Sequence, residues 1–142
     1  MKSLLSCAII LCLTPTLVAA ERYICNFPES GFQLPTDITF VLSEFSDRAL
    51  VDDSVRRPLD RGRQFAKIDS NTDDRLRLTW RFENVPRSML QKIDNRLSER
   101  FVDYQLTIQK SDMRAVVVAT YYMIIAQPMP TRAHGRCQRL GE

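Results

Sequence analysis

From Arg75 to Phe82, every second residue is large and apolar. Leu76, Leu78, Trp80 and Phe82 fall on one side, and Arg75, Arg77, Thr79 and Arg81 fall on the other. A period of two marks a half-buried strand, because successive side chains on a strand point to opposite faces. Such a segment needs an apolar interior on one side and water or a partner on the other. Residues 102–109 repeat the pattern, with Val102, Tyr104, Leu106 and Ile108 set against Asp103, Gln105, Thr107 and Gln109. Residues 110–112 form a short turn. Residues 113–122 are rich in valine and tyrosine and lack a strongly polar face after Arg114, which predicts a strand buried on both sides or central in its sheet. Further strands are expected at 23–27, 37–42, 48–51, 64–68 and around 136–138. Residues 69–74 are dense in turn formers and should link two strands as a hairpin.

One segment departs from this period. Met89, Leu90, Ile93, Leu97 and Phe101 recur at helical spacing, and Ser88 followed by Gln91 matches a capping box. An amphipathic helix over residues 89–99 is expected to lid one end of the sheet. About eight strands and one helix predict a mainly β domain, either a small antiparallel β-barrel or a β-sandwich.

Residues 1–20 carry the layout of a cleavable secretory signal peptide. Lys2 is positive, residues 4–13 are apolar apart from Ser6, and Pro15 precedes small residues ending at Ala20. The apolar run is about half the ~20 residues that a spanning helix needs. The expected product is a single domain over residues 21–142, exported to the periplasm or beyond, with no transmembrane anchor. Two of the cysteines leave with the signal, and Cys25 and Cys137 remain near the two ends. A cysteine pair in an oxidising compartment reads as a disulfide. Joining the first and last strands would make them neighbours, which favours the closed barrel over the sandwich. The mature chain is nearly neutral, which argues against a nucleic-acid partner.

Tyr23-Ile24-Cys25 at the head of a small exported β domain resembles the opening of the membrane-bound C-type lysozyme inhibitor family. That resemblance implies a periplasmic β-barrel that blocks an enzyme by inserting a loop, although the inhibitory loop motif has no counterpart here. A wider resemblance is to uncharacterised small exported β-domain proteins of alphaproteobacteria. It is carried by Tyr23-Ile24-Cys25, Ala49-Leu50-Val51-Asp52-Asp53, Leu78-Thr79-Trp80, Leu106-Thr107-Ile108-Gln109-Lys110 and Gly135-Arg136-Cys137. It implies fold and compartment and no mechanism. The segment 86–100 departs from that group.

Catalytic signatures are missing from the sequence. His134 has no nucleophile motif near it, and no phosphate loop or metal-ligand spacing appears. The chain is therefore read as non-enzymatic, without cofactor or metal. The acidic residues Asp52, Asp53 and those of 69–74 are expected to cap and solvate turns. The outward row Arg75, Arg77 and Arg81 is the candidate anion- or partner-binding feature, since guanidinium forks suit carboxylates and phosphates. Arg56, Arg57, Arg61 and Arg63 form a second basic cluster in a loop. Trp80 is expected in the core, or at the wall of a cavity if the barrel is wide enough. The function that fits best is a monomeric exported binding domain for a protein or envelope polymer. A lipocalin-like carrier of a small apolar ligand and an unrecognised hydrolase are the alternatives.

Overall fold

The computed structural model describes residues 20–31, 34–43, 46–59, 61–93, 100–122 and 127–141. Its strands are β1 (Glu21–Asn26), β2 (Asp37–Leu42), β3 (Arg48–Asp53), β4 (Gln64–Asn71), β5 (Arg75–Phe82), β6 (Val102–Gln109), β7 (Arg114–Tyr121) and β8 (Met129–Leu140). A 3-10 turn spans Arg57–Leu59, and one short helix, α1, spans Arg87–Ile93. Each strand runs antiparallel to the next in the chain, and β8 returns to β1 to close a barrel. Residues 1–19, most of the segment expected to be a signal peptide, lie outside the described residues.

Alternation fills the interior. On β5, Leu76, Leu78, Trp80 and Phe82 point inward, and on β6 Val102, Tyr104, Leu106 and Ile108 do the same. Tyr104, Tyr121, Phe27, Phe40 and Phe82 are the largest fully buried side chains. Trp80 stacks on Tyr104 with ring centroids 5.5 Å apart. Strand β7 is more regular than its sequence suggests. Ala115, Val117, Ala119 and Tyr121 are buried, while Val116, Val118 and Thr120 lie half-buried on the outside, so the strand is not enclosed on both faces.

The closing seam is covalent. Cys25 stands directly opposite Cys137, both side chains are buried, and the S–S distance is 1.96 Å. Two positions earlier on β8, Gly135 allows a close approach. A Cβ there would lie 2.1 Å from the Asn26 carbonyl oxygen and 2.6 Å from the Phe27 ring.

Beside shifts of one or two residues at β1, β3 and β7, three boundaries differ more from the sequence expectation. Strand β8 begins at Met129 rather than near 136, because its inward residues Ala133 and Gly135 are too small to register as an apolar face. Strand β4 runs to Asn71, with Ser70 and Asn71 paired to Arg77 and Leu76 across a bulge, so the turn shrinks to 72–74. Helix α1 begins at Arg87, and the Pro86 carbonyl accepts from the amides of Met89 and Leu90. Ser88 therefore lies inside the helix and does not cap it. The expected helical residues 94–99 lie outside the described residues.

The two ends of the barrel are unequal. Connections 27–36, 54–63, 83–101 and 122–128 all fall at one end. The short turns 43–47, 72–74 and 110–113 fall at the other, with the start of β1 and the end of β8.

Candidate anion-binding wall

Strand register places side chains on the outer wall of β5–β8 in ordered rows. Arg75, Gln109, Arg114 and Arg136 form one row. Arg77, Thr107, Val116 and His134 form the next, followed by Thr79, Gln105, Val118 and Arg132. The last row is Arg81, Asp103, Thr120 and Pro130. Directly paired side chains on one face lie about 5 Å apart, so the wall is a carpet of guanidinium, hydroxyl and amide groups over a small valine floor.

Acids on or beside the wall are already engaged. Asp103 takes a two-pronged ion pair from Arg81, with Nε to Oδ1 at 2.7 Å and the second nitrogen to Oδ2 at 3.0 Å. Tyr122 donates to the same carboxylate at 2.7 Å. Burial works against the Asp103 charge, but Arg81 and Tyr122 outweigh it and hold the carboxyl below its usual range. The Arg81 guanidinium also sits 4.0 Å from the centre of the Phe101 ring. Asp112 pairs with Arg114, and Asp69 with Lys67. Among the described residues, Arg75, Arg77, Arg132 and Arg136 make no ion pair.

The three arginines singled out from the sequence thus divide. Arg75 is exposed without an ion pair, Arg77 is half-buried with its Nε enclosed and unpartnered, and Arg81 is committed to Asp103. Two concavities open on this wall, side by side. One, of about 400 Å³, is lined by Thr79, Arg81, Asp103, Gln105 and Thr120 among others. The second, of about 390 Å³, is lined by Thr107, Gln109, Arg114, Val116 and His134 among others. Sequence reasoning missed Arg132, His134 and Arg136 as members of the array. The signal was the alternation Thr131-Arg132-Ala133-His134-Gly135-Arg136-Cys137, whose inward members are small. His134 is exposed on this wall, between Arg132 and Arg136 on the same face.

A second polar feature lies inside the barrel, toward the long-loop end. Asp53 is only 1 % exposed, against the expectation that it solvates a turn. Its Oδ1 accepts from the amides of Val55 (3.1 Å) and Arg56 (3.0 Å), so it does cap the turn, but from within. Burial raises its pKa, against the opposing pull of the Arg56 amide, the Arg56 charge and the Trp80 indole. The indole lies close to Asp53 without closing a hydrogen bond, and Asp53 Oδ2, Arg56 Nε and Trp80 Nε1 are all buried without partners. Trp80 itself is 5 % exposed and packed within the core. In the loop above, Arg56 and Arg61 each sit 5.7 Å from the Phe82 ring centre, and Arg57 bridges Asp37 and Asp52. That basic cluster is therefore largely tied down.

Asp53 yields a stability prediction. Its folded pKa exceeds the unfolded one, so the native state holds the proton more tightly. Its stabilising contribution is complete below the unfolded value and is lost as pH rises through the folded value. Asp53→Asn keeps an acceptor for both amides and removes the charge. Its stability relative to the parent should therefore rise with pH across that window, read from urea midpoints at a series of pH values. A flat difference would mean that the buried carboxyl does not titrate there. Asp53→Ala should instead cost about 2 kcal/mol, because both amides lose their acceptor.

Among the described residues, no group of three His, Cys, Asp or Glu side chains is placed to hold a metal ion. No helix among them is long and apolar enough to cross a membrane. Comparisons with protein-family models, curated proteins and solved structures give no match.

Proposed function

We propose that this is an exported, non-enzymatic binding domain whose β5–β8 wall docks an acidic partner of the cell envelope. The observation that carries the reading is the cluster of Arg75, Arg77, Arg132 and Arg136 on one face, with the nearby acids already paired to other cations. Guanidinium forks recognise carboxylates and phosphates bidentately. The interleaved Thr79, Gln105, Thr107 and Thr120 add uncharged donors and acceptors, which suit an extended polar chain lying across the strands. Export is supported by the signal-like leader and by the buried disulfide, which suits an oxidising compartment. The filled interior around Trp80 weighs against a carrier.

The test is retention of the mature protein on peptidoglycan sacculi, on immobilised polyglutamate and on periplasmic protein extract. The double variant Arg77→Glu/Arg132→Glu should weaken the productive interaction by roughly tenfold or more, and added salt should weaken the parent similarly. Which matrix responds separates a polymer from a protein partner. Equal retention of parent and variant on all three would remove the wall from the reading.

A further inference from the structure

The opposite side of the barrel has a different chemistry. Leu140 pairs with Arg22, Arg22 with Val41, Val41 with Leu50 and Leu50 with Phe65, so one outward row crosses β8, β1, β2, β3 and β4. Phe65 is 66 % exposed and Leu140 39 %, and these are the large hydrophobic side chains that the described residues leave exposed. Phe65, Leu50 and Val41 are consecutive on that row and make an apolar stripe across β4, β3 and β2, which Arg22 on β1 ends and separates from Leu140 on β8. Scattered single apolar residues are normal on any protein surface, a run of three strands less so.

Cations frame the stripe. Arg22 bounds it on β1. Arg63 and Lys67 stand two positions either side of Phe65, and Arg48 is opposite Lys67. Lys67 pairs with Asp69 at 2.8 Å and Arg48 approaches Asp47 at 4.0 Å, whereas Arg22 and Arg63 make no ion pair among the described residues.

We propose that this wall, centred on Phe65, seats the domain on an anionic phospholipid surface. Phe65, Leu50 and Val41 enter the interfacial zone, and Arg22 and Arg63 contact lipid phosphates. Two physical points favour this occupant over a second copy of the chain. A two-fold contact would bring the unpaired Arg22 and Arg63 of both copies to one interface, where like charges oppose docking. The wall is also convex, and a fluid headgroup layer conforms to a convex apolar stripe where a rigid partner needs a matching hollow. Strands lie about 4.8 Å apart, so Val41 to Phe65 spans roughly 10 Å, a width that a gently curved wall can lay on a plane. The combination of buried apolar area and attraction to anionic headgroups is what drives interfacial binding. The proposal is independent of the β5–β8 reading.

The experiment is co-sedimentation of the mature, oxidised protein with vesicles of phosphatidylglycerol and phosphatidylethanolamine, against vesicles of phosphatidylcholine alone. Binding to the anionic vesicles only is expected, with Phe65→Ala lowering the partition about tenfold. The Arg77→Glu/Arg132→Glu variant on the other wall should keep most of the binding. Phe65→Trp should shift its emission to shorter wavelength on adding anionic vesicles. The proposal is overturned by no binding to anionic vesicles, by equal binding of Phe65→Ala, or by an unshifted Phe65→Trp. It is also overturned by a concentration-dependent dimer that Phe65→Ala abolishes, which would make the stripe a contact between copies. Loss of vesicle binding only in the Arg77→Glu/Arg132→Glu variant would move the lipid contact to the β5–β8 wall.

Discussion

The Cys25→Ala/Cys137→Ala variant is expected to lose about 5 kcal/mol of stability, a third or more of what a domain of this size has. The bridge joins positions 112 residues apart, and cross-linking so long a loop removes much of the freedom of the unfolded chain. In the folded state the cystine also fills interior space at the β1–β8 seam, where both side chains are buried. Urea unfolding followed by the emission of Trp80, the single tryptophan, reads the loss directly. If the variant unfolds within about 1 kcal/mol of the parent, the β1–β8 ladder and the core hold the seam without help, and the chain-entropy argument overstates the bridge.

Gly135→Ala is the second large effect, and it tests the same seam from the opposite direction. The obstacle at 2.1 Å is a backbone carbonyl, which cannot rotate away as a flexible side chain would. The Phe27 ring at 2.6 Å is fully buried and has no open space to enter. Accepting the methyl group requires the end of β1 to move off β8, so a cost of about 3 kcal/mol is expected, at the upper end of overpacking effects. Because Cys25 lies two residues before Phe27 on the displaced segment, the fraction of oxidised protein should fall as well. Urea midpoints and thiol titration of the freshly isolated variant measure the two effects. An unchanged midpoint would mean that the Asn26–Phe27 segment yields freely.

These two positions show what a sequence does and does not reveal about such a barrel. The alternation on β5 and β6 was legible because its inward residues are large: Leu78, Trp80, Tyr104 and Leu106 cannot be mistaken for a solvent face. The disulfide was legible from the expected compartment and the cysteine count. Strand β8 was not, because Ala133 and Gly135 face inward where β1 crowds the barrel axis, and a small residue there signals a close approach rather than a missing strand. The size of Gly135 makes sense only once Asn26 and Phe27 are known to lie against it.

The candidate wall divides in the same way. Arg75, Arg77 and Arg81 were visible as a same-face run within one strand. Their difference in role was not, because it depends on which residue lies opposite. Register puts Asp103 beside Arg81 and uncharged Thr107 and Gln109 beside Arg77 and Arg75. Arg132 and Arg136 join the array only through β7, and Phe65 meets Leu50 and Val41 only through β3. A strand's own alternation tells which residues share a face, whereas its neighbours' residues are brought alongside by pairing, which leaves no local mark. Asp53 was missed for a related reason. Its neighbours in sequence look like a turn, yet its parity on β3 turns it inward beneath Trp80.

The order of pairing around the barrel bears on how the chain reaches this state. Every strand pairs with its neighbour in the chain except at the β1–β8 seam. The other pairings can zip from hairpin to hairpin through contacts close in sequence, and each adds little chain-closure entropy. Only the last event must bring the two ends of the chain together, and it can do so only when the curvature of the intervening strands is already correct. In such a zipping order the two thiols would meet after the rest of the barrel has formed, oxidation would act as a record of completed folding, and a chain that goes astray along the meander would be left carrying two free thiols.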